Sequence, residues 1–168
     1  MRIEAFVQAR MGSTRLPGKV LKKVLGKPLL EFLVERLHQC KEIDEIVILT
    51  SHQPEDDAIV SFCRERNILY FRGSEEDVLD RYYQAAKERN PDGIVRITAD
   101  CPLIDPEIVD QVVKVFRRHH PPIDYVANGL ERTFPRGLDV EVFSLQALEK
   151  AYQNAHRPEE REHVTVYL

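Results

Sequence analysis

The chain has 168 residues, a formal net charge of −4, 43 % hydrophobic and 31 % charged residues, the make-up of one globular domain long enough to bury a substantial core. No apolar run approaches the roughly 20 residues that cross a bilayer, no signal-peptide pattern opens the chain, and the slightly acidic balance argues against general nucleic-acid binding. Cys40, Cys63 and Cys101 are too widely spaced for a disulfide framework or a zinc motif, and read as reduced thiols of a cytoplasmic protein.

The first element is an apolar strand through Ile3, Ala5, Phe6 and Val7, which runs into a loop of small and cationic residues over 8–19. From Ala5 to Leu30 there is no acid, while Arg10, Arg15, Lys19, Lys22, Lys23 and Lys27 are all basic. Positive charge gathered at the carboxyl end of a strand suits a polyphosphate. Gly12 lets the backbone come close, loop N–H groups and Ser13 or Thr14 donate, and the cations offset the ligand's charge. The loop departs from the P-loop pattern, because Gly12 and Gly18 enclose five residues and Val20 follows Lys19. Its glycine spacing also departs from the dinucleotide fingerprint. The gathered charge and small-residue loop are read as a nucleoside triphosphate site, against a plain solvated basic turn.

Strand and helix then alternate. Leu29, Leu30, Leu33, Val34, Leu37 and Cys40 fall at helical spacing behind Pro28. The run 45–50 is a buried parallel strand, 54–66 a helix with Ala58, Ile59, Phe62 and Cys63 inward, and 68–71 a short strand. Ser74 is read as the N-cap of a helix over 77–89 that carries Asp80 and Arg81. A strand over 93–98 leads to Asp100, with Pro102 barring retreat into a helix, and Asp105 caps the next helix over 106–118. An acid at the end of a buried strand, beside a polyphosphate loop, is a natural Mg²⁺ ligand, the alternative being a turn cap. Beyond residue 120 the rhythm changes to a strand over 124–128, a turn-rich stretch, an alternating strand over 138–143 and a helix over 145–154 capped by Ser144. Asp139 and Glu141 share one face of that strand by its two-residue period. They are candidates for sugar hydroxyls or the metal, or else the solvent face of an edge strand.

This alternation predicts βαβ units in a three-layer α/β/α sandwich with a mostly parallel, Rossmann-like sheet. Ligands of such sheets bind outside the carboxyl ends of the strands, which gathers the loops at 8–19, 50–54, 72–77 and 98–106 at one edge.

Residues 9–19 with Gly26-Lys27-Pro28 resemble the signature of the sugar nucleotidylyltransferases. They are most similar to the cytidylyltransferases that activate nonulosonic and ulosonic acids, the acylneuraminate (CMP-sugar synthetase) and spore-coat polysaccharide types. Residues 96–106 resemble the family's strand followed by D-x-P-x-I, although Cys101 stands where an acid often follows in the ulosonic-acid branch. Residues 134–143 resemble the spore-coat type, and Arg161-Glu162-His163-Val164-Thr165 also fits the family. The resemblance implies a nucleotide-diphospho-sugar transferase fold and transfer of CMP from CTP to an acidic sugar, with Mg²⁺ as cofactor. It implies catalytic roles for Arg10, Arg15 and Lys19, nucleotide contacts from Gln8, Ala9, Gly12, Ser13, Ser74, Arg81 and Thr98, and Asp100 as metal ligand. Asp139, Glu141 and His163 become acceptor-sugar candidates, and a homodimer is expected. Residues 1–168 are expected to be a single nucleotidyltransferase domain short of the family's C-terminal T-V-D-x-P-E-D segment, whose Asp supplies a second metal ligand. The competing readings are transfer of UMP or GMP, or a nucleotide-binding module without activity.

Overall fold

In the computed structural model, which describes residues 1–168, the short runs rich in β-branched and aromatic residues become strands. The chain forms β1 (Ile3–Gln8), a small hairpin of β2 (Lys23–Val24) and β3 (Lys27–Pro28), α1 (Leu29–Leu37), β4 (Glu45–Ser51) and α2 (Asp57–Glu65). It continues with β5 (Leu69–Gly73), α3 (Val78–Arg89), β6 (Gly93–Thr98), α4 (Pro106–His119), β7 (Tyr125–Ala127), β8 (Glu141–Ser144), α5 (Leu145–Asn154) and α6 (Pro158–Glu162).

The main sheet has the order β5-β4-β1-β6-β8-β7. β1, β4, β5 and β6 are parallel, and β8 runs antiparallel to both β6 and β7. One face is covered by α1, α2 and α4, whose Leu33, Ile59, Phe62, Val113 and Phe116 pack on Ile3, Ala5 and Val7. The other is covered by α3 and α5, whose Leu79, Tyr82, Ala86 and Leu148 pack on Phe6, Ile94 and Phe143. The three layers and the mostly parallel sheet match the expectation. The chain leaves β1 toward β4 on one side and reaches β6 on the other, so the order reverses beside β1. A crevice opens there at the carboxyl ends of the strands.

Several local expectations change. The cap of α3 is Asp77, whose side chain accepts from Asp80 N at 2.9 Å, while Ser74 Oγ accepts from Asp77 N at 3.0 Å and closes the turn before it. The region 54–66 begins as a 3-10 turn over Pro54–Asp56, ahead of α2. β8 starts only at Glu141 because Asp139 is drawn into the preceding turn, accepting from Gly137 N at 3.1 Å. α6 was not anticipated. Its own residues show no apolar periodicity, and the chain is anchored on either side of it by the buried Ala155 and Val164. The caps at Asp105 and Ser144 are as expected, accepting from Glu107 N at 2.8 Å and Ala147 N at 3.0 Å.

Candidate active site

The crevice beside β1 is built from loops that their strands hold in place. After Gln8 the chain turns back on itself, with Met11 O accepting from Ser13 N at 2.8 Å and from Gly18 N at 2.9 Å. Gly18 sits at φ 68, a left-handed conformation that a side chain resists, and it opens the 3-10 turn Lys19–Leu21. That turn buries Val20 and so fixes the direction of Lys19. Asp56, itself buried, staples the loop to the end of β4: its Oδ1 accepts from Met11 N at 2.7 Å and its Oδ2 from Ser51 N at 3.1 Å.

Two cavities meet at Gln8, Ala9 and Arg10. The smaller, about 250 Å³, is the cationic one, lined by Arg10, Ser13, Arg15, Lys19, Thr98 and Asp100 among others. Lys19 Nζ donates to Asp100 Oδ2 at 2.8 Å, so a cation from the first loop meets the acid at the end of β6. Partial burial pushes the Asp100 carboxyl up, but the Lys19 and Thr98 hydrogen bonds and the Lys19 charge outweigh it and hold the group below the usual carboxylate value. Arg15 is exposed, and Arg10 Nη1 lies 3.9 Å from Glu75 Oε1. The larger cavity, about 410 Å³, has walls from the 75–81 segment and from Glu162 and His163. Arg81 lines it and is only 2 % exposed, its Nη1 and Nη2 donating to Leu49 O and Glu75 O at 3.4 Å each and its Nε without a partner.

A third cavity, about 320 Å³, lies across β6 and β8 and is lined by Arg96, Tyr125, Asn128, Arg132, Asp139 and Glu141 among others. Asp139 Oδ1 accepts from Arg132 at 2.9 Å. Glu141 is more heavily engaged, pairing with Arg96 and accepting at Oε1 from Tyr125 and Thr165 at 2.7 Å each.

Gln8, Ala9, Arg10, Ser13, Arg15, Lys19, Thr98 and Asp100 are thus brought to one cavity, and Arg81 and His163 to the adjoining one. Gly12 borders them through Glu75: a Cβ there would stand 2.8 Å from Glu55 Oε1 and 3.5 Å from Glu75 Oε1. Ser74 is spent on the turn before α3, and Asp139 and Glu141 lie apart in the third cavity. Sequence reasoning missed Asp56, Glu75, Arg96 and Thr165. A signal existed for Arg96, a charge inside an otherwise apolar strand. None existed for Asp56, one acid among several.

A family model for cytidylyltransferases matches residues 5–168. The chain belongs to the cytidylyltransferase family. It is 45 % identical, over all of its length, to an uncharacterised protein of Methanocaldococcus jannaschii, of which it covers 67 %. It is 37 % identical to the spore coat polysaccharide biosynthesis protein SpsF of Bacillus subtilis, over 97 % of this chain and 68 % of that one. With the 8-amino-3,8-dideoxy-manno-octulosonate cytidylyltransferase of Shewanella frigidimarina it shares 30 % over 83 % of this chain and 57 % of that one. The chain therefore spans between about half and two thirds of these relatives. Among solved structures, a cytidylyltransferase of Leptospira borgpetersenii superposes with a TM-score of 0.95 at 42 % identity, over 99 % of this chain and 70 % of that one. A CMP:2-keto-3-deoxy-manno-octonic acid synthetase complexed with CTP, 20 % identical with a TM-score of 0.74, shares the fold. No helix of this cytidylyltransferase is long and apolar enough to cross a membrane.

Proposed function

We propose that this chain transfers CMP from CTP to an acidic sugar of the ulosonic or nonulosonic acid class, releasing pyrophosphate. The observation that carries the reading is the cationic cavity closed by the Lys19–Asp100 pair, continuous through Gln8 and Arg10 with a second cavity of nucleoside size. The named relatives in octulosonate activation and spore coat polysaccharide synthesis support the acceptor class.

The cationic cavity takes the triphosphate and the larger cavity takes base and ribose. A hydroxyl of the sugar attacks the α-phosphorus in line. The new P–O bond forms as the bond to the β-phosphate oxygen breaks, the hydroxyl proton passes to solvent, and pyrophosphate leaves toward Arg15 and Lys19. Arg10 and Lys19 offset charge on the transferring and departing groups. Positioning and charge neutralisation are most of the catalysis. The acceptor lies toward Asp139 and the third cavity, with His163 on the nucleotide side. The ionised carboxylate of Asp100 in the wall of the cationic cavity is a hard oxygen donor of the kind Mg²⁺ takes. Mg²⁺ accepts sparse protein ligation when phosphates and water complete its shell. Asp100 would hold the ion, which would supply charge neutralisation on the phosphates. Homodimeric association belongs to the same reading.

The test is a thermal-shift panel of CTP, UTP, GTP and ATP with Mg²⁺, followed by pyrophosphate release with 3-deoxy-manno-octulosonate, its 8-amino analogue and N-acetylneuraminate. A ligand at about 100 times its dissociation constant stabilises the native state by roughly 2.7 kcal/mol, enough to resolve. A shift confined to CTP, with pyrophosphate release on one acid sugar, is expected. A larger shift with UTP or GTP overturns the nucleotide, and CTP binding with no turnover on any acid sugar marks a binding module instead.

A further inference from the structure

On the sheet face covered by α3 and α5, Phe6, Ile94 and Phe143 are buried and apolar. Two residues further toward the site, the same face turns polar. Gln8 on β1, Arg96 on β6 and Glu141 on β8 succeed one another across three adjacent strands, Arg96 and Glu141 being register partners. Arg96 Nε donates to Gln8 Oε1 at 3.2 Å, while its Nη1 pairs with Glu141. Tyr82, fully buried in α3, brings its hydroxyl to the same Gln8 oxygen at 3.3 Å and to Phe6 O at 3.2 Å. The far end of the row is closed by Tyr125 and Thr165 on Glu141 Oε1.

A guanidinium N–H can only donate. Gln8 must therefore turn its oxygen to Arg96, which leaves its Nε2 group facing the other way. That Nε2 has no hydrogen bond within the protein, and Gln8 is shared by the walls of the nucleoside-sized and the cationic cavities. Without Arg96 the carboxamide would be free to flip and offer an acceptor at the same place. Glu141 has both oxygens occupied by protein donors, so it holds Arg96 in place rather than offering itself to a sugar.

We infer that Arg96, locked by Glu141, is a positioning residue that fixes the Gln8 carboxamide as a hydrogen-bond donor to an acceptor oxygen of the nucleotide where ribose meets α-phosphate. The inference rests on the nucleotide reading of the two cavities and adds polarity to it. It also links the cavities physically, since the guanidinium that orients Gln8 lines the acceptor-side cavity as well.

The experiment is calorimetric titration of the full chain with CTP and Mg²⁺, for wild type, Gln8→Met, Gln8→Glu, Arg96→Lys and the double variant Gln8→Met/Arg96→Lys. Gln8→Met removes the donor, and Gln8→Glu keeps the shape and the Arg96 bond but presents an oxygen. Both are expected to weaken CTP at least tenfold; the free protein keeps its melting temperature in Gln8→Glu, which retains the acceptor oxygen, and melts lower in Gln8→Met, which strands the Arg96 and Tyr82 donors. Arg96→Lys keeps a cation for Glu141 but lacks the fork that reaches both partners; it is expected to weaken CTP about threefold. If Arg96 acts through Gln8, the double variant binds no worse than Gln8→Met alone, whereas independent losses multiply. Wild-type affinity in Gln8→Met or Gln8→Glu, or multiplied losses in the double variant, overturns the inference. Failure of the wild type to take up CTP overturns the nucleotide reading itself and the inference with it.

Discussion

Lys19 and Asp100 meet in the wall of the cationic cavity, 81 residues apart in sequence and 2.8 Å apart in the fold. Both are partly exposed, and exposed pairs of this kind contribute little to stability. The expected outcome for Lys19→Ala is accordingly an intact fold with turnover lowered at least tenfold, read by pyrophosphate release. The pair also has a pH signature. The Asp100 carboxyl in the folded chain lies below its ordinary 3.8. Its ionised form therefore favours the native state at any pH above that value. That contribution disappears as pH falls through the folded value, so neutral pH leaves it untouched. Carboxyl-carbon NMR should put the Asp100 inflection below 3.8, and Lys19→Met should move it upward by removing a hydrogen bond and a charge. An inflection that ignores the substitution would deny that Lys19 holds the acid. Asp56 acts on the loop rather than the ligand. Asp56→Ala leaves Met11 N and Ser51 N without their acceptor, and stranded buried donors cost about 1–3 kcal/mol each. A loss of stability on denaturant unfolding together with weaker CTP binding is expected.

Asp77 joins two elements that the chain separates widely. It caps α3, and its carboxylate also accepts from Arg161 of α6, with Nη2 to Oδ2 at 2.6 Å and Nε to both oxygens at 2.9 and 3.0 Å. α6 in turn carries the wall of the larger cavity through Glu162 and His163. Replacing an N-cap acid by Ala costs about 0.5–2 kcal/mol, before the Arg161 bonds are counted. Asp77→Ala should exceed that range in denaturant unfolding and speed amide exchange in both 78–81 and 158–163. Faster exchange in only one of the two would mean that they are not coupled through this residue. The same residue shows why part of the architecture was legible and part was not. β1, β4, β6, α3 and α4 follow from apolar periodicity, which burial imposes directly on sequence. Between Ser74 and Asp77 the local chemistry offers two good caps three residues apart, and Arg161, 84 residues away, selects the second. The cationic loop was readable because its charges fall in one stretch that contains no acid. Asp56 and Thr165 were not, because their roles come from pairings across strands and turns that no local spacing encodes; Arg96 showed as a charge inside an apolar strand, but its partners did not.

Charge is distributed unevenly over the whole molecule. The net charge is −4, yet Arg10, Arg15 and Lys19 converge on one cavity whose only lining acid is Asp100, already matched to Lys19. A polyanion approaching at random meets a weakly repulsive surface with one attractive mouth, the arrangement that focuses a field into a cleft. The acids of Glu55 and Glu75 stand at the rim by Gly12, which sharpens the contrast between the mouth and its surroundings. Because much of this attraction acts over distances comparable to the screening length, roughly 10 Å at 0.1 M salt, it must weaken as salt is added. CTP affinity is therefore expected to fall several-fold between about 0.05 and 0.5 M KCl at fixed free Mg²⁺, mainly through the association rate measured by stopped flow. Arg15→Gln, at the exposed end of the loop, should flatten that dependence without changing the melting temperature. Cytidine, which lacks the phosphates, should bind weakly and show almost no salt dependence. A cytidine slope equal to that of CTP would mean that the cationic mouth does not receive the triphosphate, and the assignment of the two cavities would have to be reversed.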